Sequence, residues 1–209
     1  MEHTISGIFP IPVYHVKRNS NLDESEWKDI KDIIDTGGMM KNPGISNHIS
    51  KNTYIFDTKL ANLKEFCEKH IKTYVKEIIN PKEELDFYIT QSWLNVIEPA
   101  GMHHPHRHAN SIIAGVFYVS TVENDKIDFH DPLKSFSSVS VDIASEVNTW
   151  NMKICSMKVI TNLLVLFPPW LEHGVELNPD ATKDRISIAF NVFAKGTLGA
   201  VENIDELFL

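Results

Sequence analysis

Apolar residues in this chain recur at helical spacing as far as Ile78 and at every second position from Phe87 onward. Leu60, Leu63, Phe66, Cys67, Ile71, Tyr74, Val75 and Ile78 form one stripe of a helix that Asn80-Pro81 must end. Trp27, Ile30, Ile33 and Ile34 mark an earlier helix, with Asn21 as its N-cap, Glu24 following it, and Gly37-Gly38 as its stop. After Pro81 the pattern predicts strands over Phe87–Ile97, Ser111–Ser120, Lys126–Phe129, weakly around Trp150–Val159, then Leu163–Phe167 and Ile186–Phe193. Helices followed by a run of strands is an α+β order, with the helices laid on one face of an antiparallel sandwich or barrel. The prolines of Ile8–Tyr14 suit an edge strand or extended lead-in. Residues 39–57 read as loop with a short extended piece near Tyr54-Ile55-Phe56, and Asp131–Glu146 as a long loop over one end of the barrel.

A length of 209 residues suits a single domain, with a helical part at 1–85, a barrel core at 86–195 and a tail at 196–209. The formal charge of −8, with Lys and Arg scattered, argues against a nucleic-acid partner, which needs clustered cations. Cys67 and Cys155 do not make a disulfide framework, the N-terminus lacks the layout of a signal peptide, and no apolar run is long enough to span a bilayer. A cytoplasmic protein is expected. The apolar tail Ile204–Leu209 could dock on its own domain or on a second copy, which leaves a homodimer open.

Chemistry concentrates between two predicted strands. His103, His104, His106 and His108 fall within six residues. On a strand, His106 and His108 would point the same way and could grip one ion. Pro105 interrupts the strand pattern, so His103 and His104 are expected in the preceding loop, near the ion but not on it. A third ligand must come from far along the chain, and His173 is the candidate, carried by a tight turn after the apolar run Leu163–Phe167. The bland alternatives are a His-rich surface tract and a turn-capping His173.

The strand Arg185-Ile186-Ser187-Ile188-Ala189-Phe190-Asn191 has two unlike faces. Ile186, Ile188 and Phe190 form an apolar face, while Arg185 and Ser187 would point into the barrel. A buried guanidinium without a partner is costly. No carboxylate in the sequence is an evident internal partner, so an anionic ligand is expected, held in two parallel hydrogen bonds.

The order His-x-His, then Phe-Pro-x-x-Leu-x-His-Gly-Val, then Arg-x-Ser resembles the 2-oxoglutarate and Fe(II)-dependent oxygenases on a double-stranded β-helix, a jelly-roll or cupin-like barrel. More narrowly it is similar to a family of such oxygenases found in phages and marine bacteria. The pieces that carry this likeness are Trp93-Leu94-Asn95, His103–His108, Gly115-Val116-Phe117-Tyr118 and Arg185–Asn191. The resemblance implies Fe(II) on His106, His108 and His173. It implies 2-oxoglutarate chelating that iron, its far carboxylate on Arg185 with help from Ser187, and Gln91, Trp93 and Asn95 lining the cosubstrate pocket. His103 and Asn191 would lie near the site. The implied reaction couples O2-dependent decarboxylation of 2-oxoglutarate to succinate with hydroxylation of a C–H bond. Core packing is an equally good reading of Trp93.

The departure from the superfamily pattern is His108, where a facial triad has its carboxylate. A three-histidine site also suits Zn(II), and Asp128 or Asp131 could supply a carboxylate from another strand. Two other classes remain: a three-histidine cupin-like metalloenzyme that does not use 2-oxoglutarate, and a non-catalytic small-acid-binding or interaction module. The prime substrate, a protein side chain or a small metabolite, is not legible. Ligand histidines must be unprotonated, so metal affinity is expected to fall as pH drops below about 6.5.

Overall fold

The computed structural model describes residues 2–42, 46–133 and 146–209. Its strands and helices, in chain order, are β1 (Tyr14–Lys17), α1 (Glu24–Asp35), β2 (Met39–Lys41), β3 (Asn47–Ser50), α2 (Ala61–Tyr74), β4 (Asp86–Ile97), β5 (His103–His106) and β6 (Ile113–Ser120). They continue with β7 (Lys126–His130), β8 (Ile154–Lys158), β9 (Leu163–Phe167), β10 (His173–Val175), β11 (Arg185–Lys195), β12 (Thr197–Leu198) and β13 (Leu207–Phe208). A seven-stranded sheet runs β1-β9-β6-β11-β4-β3-β2 and a four-stranded sheet runs β5-β10-β7-β8. Every pairing between these strands is antiparallel. The two sheets make the double-stranded β-helix expected from the sequence, with the helices on the outer face of the larger one.

Period-two patterning explains the layering. On β11, Ile188, Phe190 and Val192 join Leu63, Cys67 and Ile71 of α2 in one apolar cluster. Ala189 turns the other way, into a second cluster with Val116, Phe129, Val165 and Phe167 from both sheets. The larger sheet is therefore buried on both sides, and its inward face is the one that carries Arg185, Ser187 and Asn191.

Several local expectations are corrected. The N-cap of α1 is Asp23, not Asn21. Asp23 and Glu26 form a reciprocal capping box, whereas the Asn21 side-chain oxygen accepts from Asn162. Residues 39–57 contain β2 and β3 instead of loop alone. Their sequence lacks β-branched alternation, and what makes β3 a strand is its ladder to β4, Asn47 opposite Ile97. Near Tyr54 the chain forms a short 3-10 turn at Ile55–Asp57. The lead-in is followed by an edge strand that starts at Tyr14 and pairs with β9. The tail folds back on its own chain as β13 against β12, leaving Ile204 exposed. Of the proposed loop at Asp131–Glu146, residues 134–145 lie outside the described residues. Among the described residues, no helix is long and apolar enough to cross a membrane.

Candidate metal centre and cosubstrate pocket

β10 lies between β5 and β7, with His173 directly opposite His106. The histidine segment is not a loop that becomes a strand at His106. The strand is His103–His106, and it tolerates Pro105 because β5 is an edge strand. Its ladder slips between His173 and Val175, which faces His103, so β5 carries a bulge. The bulge resets the alternation. His103 and His106 both reach the pocket, rings stacked at 4.4 Å and 24°, while His104 is exposed. Gly174 makes this approach possible, since a Cβ there would stand 2.9 Å from the His103 carbonyl oxygen and 3.1 Å from Pro105 N.

His108 falls outside any strand, so strand parity is not what aims it. Its backbone N–H donates to Pro169 O at 3.0 Å, its Nδ1 donates to Asn191 Oδ1 at 2.5 Å, and its ring stacks on Trp93 at 5.8 Å. His106, His108 and His173 still converge, each offering a nitrogen within 4.8 Å of the other two. All three Nδ1 atoms are occupied: His106 on His104 O at 3.0 Å, His108 on Asn191, His173 on Leu171 O at 3.0 Å. An acceptor on Nδ1 holds the proton there and leaves Nε2 with a free lone pair. Nε2 of His108 is buried with no protein partner, as a metal-binding nitrogen should be before its ion arrives. No carboxylate joins the cluster among the described residues. Asp128 instead accepts from Ser156 Oγ and pairs with Lys126, and Asp131 caps the Leu133 N–H.

Burial disfavours the imidazolium form at all three positions. It pushes His173 down to about 2 and lowers His106 and His108, where the backbone carbonyl of His104 and the Asn191 amide partly offset it. Proton competition for the metal therefore shifts below the ordinary histidine range. The folded state resists protons that the unfolded chain accepts below about pH 6.5, so stability is lost as pH falls through that value. The metal-free protein is expected to melt progressively lower between pH 7 and pH 5. Saturating Zn(II) should raise the whole curve while leaving that slope in place, because the buried imidazoles are already unprotonated in the folded apo state. Melting curves in chelator and in metal at each pH check this. Asn191→Ala, which removes the acceptor on His108, is expected to weaken metal binding by about 10–100-fold. Asn191→Asp should recover most of the loss, as measured by competition against a chromophoric chelator.

Next to the histidines, Trp93, Asn95, Tyr118, Arg185 and Ser187 line one pocket together with His103. Register places them there: Ser187 stands between Asn95 on β4 and Tyr118 on β6. Trp93 serves both readings, packing against the inner cluster and stacking on His108. Gln91 is paired with Asn191 farther along β4 and does not line this pocket. Tyr118 was not singled out by the sequence, although it shares strand parity with Ala114 and Val116. Its hydroxyl and the Asn95 side-chain oxygen are buried without protein partners, which suits a polar guest. Burial also pushes the Tyr118 hydroxyl up to about 12, so it stays a neutral donor.

The expectation that Arg185 lacks an internal partner is overturned. Arg185 Nε donates to both oxygens of Asp125, at 2.8 and 3.0 Å, and both residues are buried. Asp125 lies in the connection before β7, where nothing local marks its side chain as inward. The guanidinium also sits 5.0 Å from the Tyr118 ring centroid.

Residues 91–191 match the model of a family described as "Putative 2OG-Fe(II) oxygenase". That match spans just under half of the chain and falls on the barrel that carries the histidines. The chain is an oxidoreductase that works with Fe(II) and 2-oxoglutarate, and the donor set of the pocket suits both. Solved structures share the fold at low identity. The carbocyclase SnoK of nogalamycin biosynthesis, described as non-heme and alpha-ketoglutarate-dependent, superposes with a TM-score of 0.62 at 11% identity, covering 90% of this chain and 81% of its own. A prolyl hydroxylase from Trichoplax adhaerens, in complex with a hypoxia inducible factor peptide, gives 0.60 at 10% identity over 87% and 83%. HygX from Streptomyces hygroscopicus, with nickel and 2-oxoglutarate bound, gives 0.57 at 10% identity over 87% and 82%. No curated protein matches the chain in sequence.

Proposed function

We propose that this oxygenase holds Fe(II) on His106, His108 and His173 and 2-oxoglutarate on Arg185, Ser187 and Tyr118, and that it hydroxylates a C–H bond of a protein side chain or small metabolite. The observation that carries the ligand assignment is the shared tautomer, Nδ1 bound and Nε2 free, at three converging imidazoles. Bound iron would supply the O2 chemistry, including decarboxylation of 2-oxoglutarate to succinate. The chain's own part is orientation. Asn191, Leu171 O and His104 O fix the imidazoles. The Nη groups of Arg185 and the Tyr118 and Ser187 hydroxyls would hold the far carboxylate, and Trp93, stacked on His108, would keep water from that side. His103 and Asn95 lie along the same wall.

The pocket goes beyond what a three-histidine enzyme without 2-oxoglutarate would use, because its orphaned polar groups lie beside a buried guanidinium. The charge of −8 supports a substrate other than nucleic acid, and two free cysteines, Cys67 and Cys155, support a cytoplasmic setting. Trp93–Asn95 and Arg185–Asn191 support a place in the phage and marine-bacterial group. The test is an anaerobic titration of metal-free protein with Fe(II), then 2-oxoglutarate. A visible absorption band that requires both additions supports the assignment. Metal binding without a band points to an enzyme that does not use 2-oxoglutarate, and absence of metal binding removes the catalytic reading.

A further inference from the structure

We propose that Asp125 is a positioning residue for the cosubstrate, aiming Arg185 and cancelling its charge so that the loaded pocket is neutral. The inference rests on the proposed placement of Fe(II) on the histidines and of 2-oxoglutarate on Arg185.

Charge arithmetic leads to it. A facial triad includes a carboxylate that takes up one unit of the metal's charge. Here three neutral imidazoles take up none. Fe(II) and the 2-oxoglutarate dianion balance one another, so a lone guanidinium, buried as Arg185 is, would leave one surplus positive charge, which is unfavourable. Asp125 removes that surplus from the cosubstrate end, in place of the carboxylate absent from the metal end.

The geometry serves the same end. Both Asp125 oxygens converge on Nε, at 2.8 and 3.0 Å, and do not fork across Nε and a terminal nitrogen. The ion pair uses Nε alone, which keeps both Nη groups out of it, with the guanidinium 5.0 Å from the centroid of the Tyr118 ring. Among the described residues, no other cation pairs with Asp125. Neighbouring Lys126 pairs with Asp128 at 3.5 Å and Glu176 at 3.2 Å.

Asp125→Asn keeps an oxygen for Nε and removes only the charge. In protein loaded with Mn(II), a redox-inert substitute, calorimetry should find 2-oxoglutarate binding roughly tenfold tighter in this variant, with a steeper salt dependence. Without ligand the variant should melt lower than wild type, and 2-oxoglutarate should close the gap. A residue with only a structural role would lower the melting point and leave affinity unchanged or weaker, and that result overturns the inference. Should Asp125→Asn not fold, His108→Asp approaches from the metal end. It adds a charge while Asp125 remains, so Mn(II) should bind more tightly and 2-oxoglutarate roughly tenfold more weakly. Unchanged or tighter 2-oxoglutarate binding in His108→Asp overturns the inference. The two levels separate in the controls. If wild type does not bind 2-oxoglutarate, the functional assignment falls and this inference with it. If wild type binds and Arg185→Ala binds weakly, but neither charge variant shifts as stated, the inference alone falls.

Discussion

Alanine at position 173 is expected to end metal binding, with a loss greater than the 10–100-fold that removal of an outer partner costs. His173 is the most buried of the three imidazoles, packed against Phe167 at 4.6 Å between ring centroids. Its removal leaves two nitrogen donors and no carboxylate within reach among the described residues. The apo fold should tolerate the change, losing about 1–3 kcal/mol for the unpaired Leu171 carbonyl plus a cavity beside Phe167. The diagnostic is therefore the metal-dependent rise in melting temperature, present in wild type and gone in His173→Ala. A rise of wild-type size in the variant would place the ion elsewhere.

Arg185→Ala should have the largest effect on stability. It strands the Asp125 carboxylate, 3% exposed, with no cation to compensate it. Breaking one side of a buried pair costs about 3–5 kcal/mol. Replacing both partners with apolar residues, as in Arg185→Met with Asp125→Leu, should be far milder, because no buried charge remains. Urea denaturation of wild type, the single variant and the pair checks this. Equal destabilisation of the single and double variants would show that the pair matters through packing. Both variants should lose 2-oxoglutarate binding, which separates the stabilising part of the pair from the functional part.

What the sequence made legible is what local patterning controls. β9 runs Leu163–Phe167 as expected because an unbroken apolar run bounded by Asn162 and Pro168 has few alternatives. The two faces of β11 follow directly from alternation, whereas His108 joins His106 and His173 through its contacts with Pro169, Asn191 and Trp93 and not through the parity its spacing suggested. The misses are non-local. β3 exists through its partner β4, since Asn47 and Ser50 carry no strand signal of their own. The bulge that brings His103 into the pocket depends on Gly174, some seventy positions away. Asp125 and Arg185 are likewise joined only by the folded barrel, so a reading confined to neighbouring residues sought a ligand where the protein already held a counter-ion.

The two-faced burial of β11 also limits how the gene can vary. Inserting or deleting one residue just after Arg185 would exchange the faces of the rest of the strand, sending Ile186, Ile188 and Phe190 into the pocket and Ser187 and Asn191 against α2. Both errors would arise at once, and no single compensating substitution repairs them. Relatives that keep the chemistry should therefore keep the reading frame of this strand to the residue, and carry their length differences in the connections outside it.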